Sequence, residues 1–499
     1  MIKTFTVRRQ KIIQNKVLNI LFAASEAVPF AKTGGLGDVA SALPSALARR
    51  GHEVTTILPR YGGIDKSTLE MSGIDISIDL DGKRFDSKIL SAKTGEKNCR
   101  TLFIDQPELF GNRPNPYGDE NGDYPDNDLR FIFFNRALIE LAAKLTATPD
   151  IIHLNDWQCG IAPLYLDIAR KEGRLKETSS IFTIHNLAYQ GHFPKKSFDL
   201  TGLPENLFTL EGVEHYEKLA LLKSAILFAD SLTTVSPTYA KEILSPELGF
   251  GLETLLKGRS KELKGILNGI DIAEWNPQTD THIAANFSAK EFSGKETCKR
   301  ALLDEFGIGY SEGVPVVGMV SRLIEQKGFD MVMEIIRNFI GEIHFVLLGT
   351  GETEYEDFFI NLAEKHPESF GVKIGYDNRL AHCIEAGSDI FLMPSKFEPC
   401  GLNQMFSLRY GTVPVVRSTG GLNDTVKNWN KVSGKGNGFV FKKPEPLALK
   451  SALQKAIKTY SKKREWKQIV QNGMKADHSW EASAGEYEKL YSSLLQQNR

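Results

Sequence analysis

An α/β protein built on two doubly wound parallel sheets is the fold class this sequence predicts, and three observations carry the prediction. At 499 residues the chain exceeds what one ordinary core organises, so two or three domains are expected. Short β-branched runs alternate with helical patterns along most of the length, the mark of parallel strands joined by crossover helices. The alternation falls into two series that divide near "NGIDIAEWNPQTDTH". Each series makes one domain, and a ligand between them would sit at the carboxyl ends of the strands.

The first series opens on "VLNILFAA", Val17 to Ala24, an apolar run of strand length. "VTTIL" (54–58) is the next strand, and a β-hairpin-like patch between Met71 and Ser91 interrupts the domain. "LRFIFFNRALIELAAKL" reads as a helix, followed by strands at "IIHL" (151–154), "SIFTIH" (180–185) and "SLTTVS" (231–236). The second series places strands at "PVVGMVS" (315–321), "IHFVLLG" (343–349), "VKIGY" (372–376), "IFLMPS" (390–395) and "TVPVVRS" (412–418). The tail "WEASAGEYEKLYSSLLQ" is amphipathic and suits a helix packed across either domain. The expected division is a basic extension over 1–16, domains over 17–275 and 276–479, and a terminal helix over 480–499.

Hydrophobic content of 41% and charged content of 25% are those of a soluble globular protein. A net charge of −1 argues against a nucleic-acid partner held by bulk electrostatics, while leaving room for a local patch. The five cysteines are scattered without a C-x-x-C pair, which suits a reducing compartment and carries no zinc signature. No apolar run reaches the ~18 residues of a membrane span, so no membrane partner is expected. The start, "MIKTFTVRRQKIIQNK", is basic but lacks the apolar core of a signal peptide, and the cytoplasm is the expected compartment.

The stretch "AKTGGLGDVASAL" contains a G-x-G-x-x-A spacing at Gly35 to Ala40. A dinucleotide turn needs its glycines directly after a strand and an acid closing the second strand. Here ten residues, Ser25 to Gly34, intervene, and the second strand runs into Pro59 and Arg60. A ligand-free glycine turn remains open. So does an anion site in which Lys32 and free N–H groups at a helix start hold another phosphate.

Other polar residues follow strand ends. Arg322 and Lys327 in "SRLIEQKGFD" are two cations leading into a helix, a phosphate-site arrangement, although two solvated charges read the same way. Glu398 opens an apolar helix in "SKFEPCGLNQMF", where it also suits the helix dipole with no ligand at all. "RSTGGLNDTV" is a second Gly-Gly turn. His185 and Asn186 end one strand and Asp156 and Trp157 another.

Nine motifs in order, "KTGGLGDV", "HLNDW", "TIHNLAYQG", "TTVSPTYAKEI", "GILNGID…WNP", "SRLIEQKG", "GYDNRLAH…AGSD", "PSKFEPCGLNQ" and "STGGLNDTV", resemble the glycogen and starch synthase family, the bacterial type of retaining glucosyltransferase. The resemblance runs from Val17 to about Leu495. It implies a GT-B fold, two Rossmann-like domains facing across a deep cleft. The first would be the acceptor side and the second the nucleotide-sugar side, with the terminal helix crossing back to the first. The implied reaction moves glucose from ADP-glucose to the non-reducing end of an α-1,4-glucan with retention.

By the same resemblance Arg322 and Lys327 contact the donor diphosphate, so no metal or other cofactor is required. Cys400, Gly401, Leu402, Asn403 and the Thr419–Gly420–Gly421 opening aid them. Lys32, with Gly34, Gly35 and Gly37, approaches the distal phosphate and sugar. Glu398 accepts bonds from sugar hydroxyls, His185 lies over the anomeric region and Asp156 holds hydroxyls. Tyr376 stacks on the adenine and Asn268 lines the cleft. No motif clearly supplies the carboxylate nucleophile that a double displacement wants, which fits front-face transfer with the leaving phosphate taking the acceptor's proton. One donor reaches both sets of residues only if the cleft closes, so a hinge is expected after Asn268 and near Trp480.

The sequence departs from the family pattern at Asn403, usually Thr, at Lys396, usually Arg, and at Cys383, usually Arg. Asp79-Leu80-Asp81 matches a metal-binding D-x-D but reads as turn chemistry. The competing readings are a GT-B enzyme using UDP-glucose or another acceptor, and a catalytically dead glucan-binding protein. Against the second, every charged residue the chemistry needs is present.

Overall fold

The computed structural model describes residues 16–497, so the basic extension expected over 1–16 lies outside the described residues except for Lys16. The chain divides into two compact units. Of the described residues, one comprises those up to Val235, Ala240–Gly269 and those from Trp480 to Gln497; the other comprises Ser236–Tyr239 and Ile270–Ser479. The division thus falls at Gly269, a little ahead of the boundary at 275 expected from sequence.

Among the described residues the first unit is built on a nine-stranded sheet. Its strands are β1 (Asn19–Ala23), β2 (Glu53–Pro59), β3 (Glu70–Leu80), β4 (Lys83–Lys93), β5 (Cys99–Asp105), β6 (Ile151–Asn155), β7 (Ser179–Ile184), β8 (Ser231–Thr234) and β9 (Leu263–Gly265), in the order β9-β8-β7-β6-β1-β2-β5-β4-β3. The central strands are parallel and buried on both faces, which is why they read as continuous apolar runs. The sheet is mixed, however: the hairpin β3–β4 joins its edge through antiparallel pairing of Ile89 with Ile104 and of Leu90 with Phe103. The patch seen in the sequence is therefore part of the main sheet. Asp81 turns that hairpin at φ 49, the turn role expected for this part of the D-x-D.

Helix Asn127–Lys144 packs Phe131, Phe133 and Phe134 into the core with no exposure, each worth about 2 kcal/mol of burial. The terminal helix Trp480–Gln497 belongs to this unit. Arg49 donates to Glu481 (2.6 Å), Arg50 pairs with Glu488, and buried Tyr491 meets His153 Nδ1 at 2.8 Å.

The second unit carries a six-stranded parallel sheet. Its strands are β10 (Val316–Val320), β11 (His344–Gly349), β12 (Phe370–Ile374), β13 (Ile390–Met393), β14 (Val413–Arg417) and β15 (Phe439–Phe441), in the order β12-β11-β10-β13-β14-β15. Strand β12 ends at Ile374, short of the expected Tyr376, because Gly375 bends away at φ 133. Strands β5, β9 and β15 were not foreseen; β9 and β15, at three residues each, are too short to leave a periodic signal. Phe329, Phe345, Phe359 and Leu453 lie in the core on one side of this sheet and Leu303, Val346 and Ile384 on the other.

Candidate active site

In an open α/β sheet the ligand crevice lies where strand order reverses, at the carboxyl ends of the two diverging strands. The first unit reverses between β1 and β6. The loop Ser25–Gly34 leaves β1, Asp156 follows β6 directly and His185 follows β7 directly.

Asp156 adopts φ 55, ψ 178, a backbone state that costs a non-glycine residue about 1–3 kcal/mol and clusters at functional sites. It is held there by its own N–H on Thr183 O (3.0 Å) and by the N–H of His185 on its Oδ1 (2.8 Å). Burial lifts its carboxyl to about 7, against the pull of backbone N–H bonds from His185 and Asn186, with the charge of Glu26 adding to the rise. His185 Nε2 donates to Asn155 Oδ1 (2.9 Å), whose amide is oriented by Ala23 O (3.0 Å). Burial pushes His185 down to about 3, so the imidazole is neutral near pH 7.

The glycine turn is occupied differently from the expectation of free N–H groups. Glu26, 3% exposed, takes the N–H of Thr33 (2.6 Å), the N–H of Gly34 (3.0 Å), the hydroxyl of Thr33 (2.5 Å) and that of Tyr117 (2.6 Å). Lys32 Nζ lies 2.7 Å from Asp38 Oδ1 in the following helix, Gly35–Arg49. A buried carboxylate needs donors, and this turn supplies them. Asn268, 8% exposed, buries an Oδ1 without a hydrogen-bond partner among the described residues.

The second unit reverses between β10 and β13, and there Lys327 and Glu398 meet across two connections, with Arg322 on the same connection as Lys327. The loops are bound to each other: Lys396 N–H donates to Gln326 O (2.8 Å) and Gln326 Nε2 to Phe397 O (3.2 Å). Gly328 allows this approach, since at φ 78 a side-chain Cβ would fall 2.3 Å from Pro394 O. Lys327 Nζ donates to Glu398 Oε2 at 2.6 Å, and buried Ser395 donates to the same oxygen at 3.0 Å. Arg322 is exposed and makes no ion pair among the described residues.

The second Gly-Gly turn also serves packing. The N–H of Gly421 donates to Glu398 O (3.2 Å) and Pro399 O (3.1 Å), and a Cβ there would lie 2.1 Å from Cys400 O. Both partners are backbone, so Gly421→Ala is expected to destabilise this unit by on the order of 2 kcal/mol, read as a lower denaturation midpoint. Gly420 and buried Thr419 lie in the same close approach, and Cys400 is buried beneath it. Gly401 turns at φ 71 and Leu402 caps helix Asn403–Arg409. The Asn403 amide donates to Val320 O (3.0 Å), which ties that helix to β10. Tyr376 follows β12 and stands 83% exposed.

Lys396 bridges Glu325 (2.6 Å) and Asp330 (2.8 Å), and Cys383 Sγ donates to His282 O (3.3 Å). Glu26, Tyr117, Asn155 and Ser395 escaped the sequence reading. Glu26 follows a strand end, a signal that would have found it; Tyr117 lies far along the chain and carried none. Among the described residues no group of three or more His, Cys, Asp and Glu has a metal-holding arrangement, and no helix is long and apolar enough to cross a membrane.

A family model described as the starch synthase catalytic domain matches residues 19–258, and one for glycosyl transferases group 1 matches 304–473. The chain is 47% identical over 479 residues to a glycogen synthase of Anaeromyxobacter dehalogenans (strain 2CP-C), covering 96% of this chain and 100% of that protein. It is 45% identical over 482 residues to a glycogen synthase of Myxococcus xanthus, with coverage of 96% and 100%. Among solved structures, the catalytic domain of starch synthase IV from Arabidopsis thaliana, bound to ADP and acarbose, superposes with a TM-score of 0.87 at 36% identity, covering 96% of this chain and 100% of that one.

Proposed function

This chain belongs to the glycogen synthase and starch synthase family, and on that premise we propose the reaction and the part each residue takes in it. The protein is a GT-B glycosyltransferase, a glycogen synthase that transfers glucose from ADP-glucose to the non-reducing end of an α-1,4-glucan with retention. The observation that carries the residue roles is the meeting of Lys327 and Glu398 at the switch point of the second sheet, with Arg322 on the connection that carries Lys327. Breaking the glycosidic bond leaves a nucleoside diphosphate whose growing charge must be neutralised. Arg322 and Lys327 do that. Lys327 has three N–H donors, and with one spent on Glu398 two remain for phosphate oxygens.

Glu398 keeps Oε1 for the sugar hydroxyls while Lys327 and Ser395 hold Oε2. In the first unit Asp156 accepts from hydroxyls, and the neutral His185 offers its ring to a sugar hydroxyl without adding positive charge beside a developing oxocarbenium. The proton of the acceptor hydroxyl leaves on the departing phosphate. Tyr376 gives the adenine an exposed ring to stack on. Lys32 and the Gly34, Gly35 and Gly37 turn approach the distal phosphate, Lys32 first leaving Asp38.

With two cations at the diphosphate no metal is required. Purified protein given glycogen and labelled ADP-glucose is expected to keep its full rate in excess chelator and to outpace the same assay with UDP-glucose. Loss of activity restored by Mn²⁺ or Mg²⁺ would overturn the metal-free account, and a preference for UDP-glucose would overturn the donor.

A further inference from the structure

The second unit carries a charge asymmetry that glucosyl transfer does not use. From Lys427 to Lys475 the chain holds thirteen Lys and Arg against two Asp and Glu, within a protein of net charge −1. Twelve of the thirteen are lysines. Helix Pro446–Tyr460 buries Leu449, Ala452, Leu453 and Ala456 and turns Leu447, Ser451, Lys455 and Lys458 outward at helical spacing. Its 15 residues make a strip about 22 Å long. Exposed Lys462 continues the strip. Glu465 lies 3.8 Å from Lys462 and 3.2 Å from Lys431, which joins the loop before β15 to the same surface. An aliphatic side chain stands out at each end: Leu447 is 75% exposed and Val432 98%.

Three kinds of partner carry the opposite charge. Protein interfaces are poor in lysine and centre on buried aromatic or arginine anchors, and this face has neither at its middle. Nucleic-acid surfaces favour the arginine fork and exposed aromatic rings for stacking, whereas the rings here are buried, Tyr460 and Trp466 at 7% and 8% exposure, or partly buried in the core, as Trp429 is. An anionic bilayer asks for point charges at headgroup height and a few aliphatic side chains to enter the interface. We propose that this face docks the protein on anionic lipid membrane, its lysines on the headgroups and Leu447 and Val432 in the interfacial layer. The expectation of no membrane partner rested on the lack of a span, which does not register a one-sided charged patch.

The test is sedimentation of the full-length protein with phosphatidylcholine vesicles, with and without phosphatidylserine, at low and high salt. Binding is expected on the anionic vesicles alone and is lost at high salt. Combined Lys455→Glu, Lys458→Glu and Lys462→Glu is expected to weaken it by on the order of 100-fold, and Leu447→Ser to weaken it less. Both variants should keep the wild-type rate on soluble glycogen, which reports that they fold. The proposal is overturned by equal binding to both vesicle types, by no binding, or by triple-variant binding at the wild-type level. It is also overturned if Leu447→Ser changes nothing, or if the protein binds duplex DNA and ignores the vesicles.

Discussion

Arg322→Ala and Lys327→Ala are each expected to lower kcat with ADP-glucose and glycogen by on the order of 100-fold or more, as when preorganised charge at a developing anion is removed. Their effects on stability should differ. Arg322 is exposed and unpaired among the described residues, so its loss leaves the fold as it was. Lys327 is the cation beside Glu398, which is only 6% exposed. Removing one partner of such a pair strands the other, at about 3 kcal/mol. Steady-state kinetics with chemical denaturation would check both. A rise in KM with kcat unchanged would mean that these cations hold the ground state only.

Asp156→Asn is expected to lower kcat by a similar order while making the protein more stable above neutral pH. The carboxyl is raised to about 7 by burial, far above its value of 3.8 in the unfolded chain. The folded state therefore holds a proton that the unfolded state has released. Whatever stability this brings is present in full below pH 4 and is lost as pH rises to about 7, up to about 4 kcal/mol across that window. Asparagine keeps an oxygen for the His185 N–H and carries no charge to desolvate. The Tm difference between Asp156→Asn and wild type should thus grow from pH 4 to pH 7 and then level. Wild-type kcat should rise along an acid limb near 7 that His185, held at about 3, cannot supply. A pH-independent Tm difference would refute the raised carboxyl.

Much of this was legible in one dimension. Parallel strands buried on both faces must be apolar throughout, so β1, β2, β6, β7, β10, β11, β13 and β14 announced themselves within a residue or two. The carboxyl ends of such strands are where backbone direction reverses and polar side chains meet ligand. Asp156, His185, Arg322 and Glu398 were therefore identifiable from position as well as from motif. What only the tertiary structure decided is which groups neutralise one another. The two Gly-Gly turns read as open anion sites, yet Glu26 takes the N–H groups of Thr33 and Gly34 in the first, and the carbonyls of Glu398 and Pro399 take the N–H of Gly421 in the second. The edge placement of β3 and β4, the meeting of Tyr117 with Glu26 and the hold of Ser395 and Lys327 on one carboxylate oxygen are of the same kind. The physical reason is range. Periodicity and turn chemistry act over a few residues and are written locally, whereas the partner of a buried polar group is whatever the fold brings within about 3 Å, often from a hundred positions away.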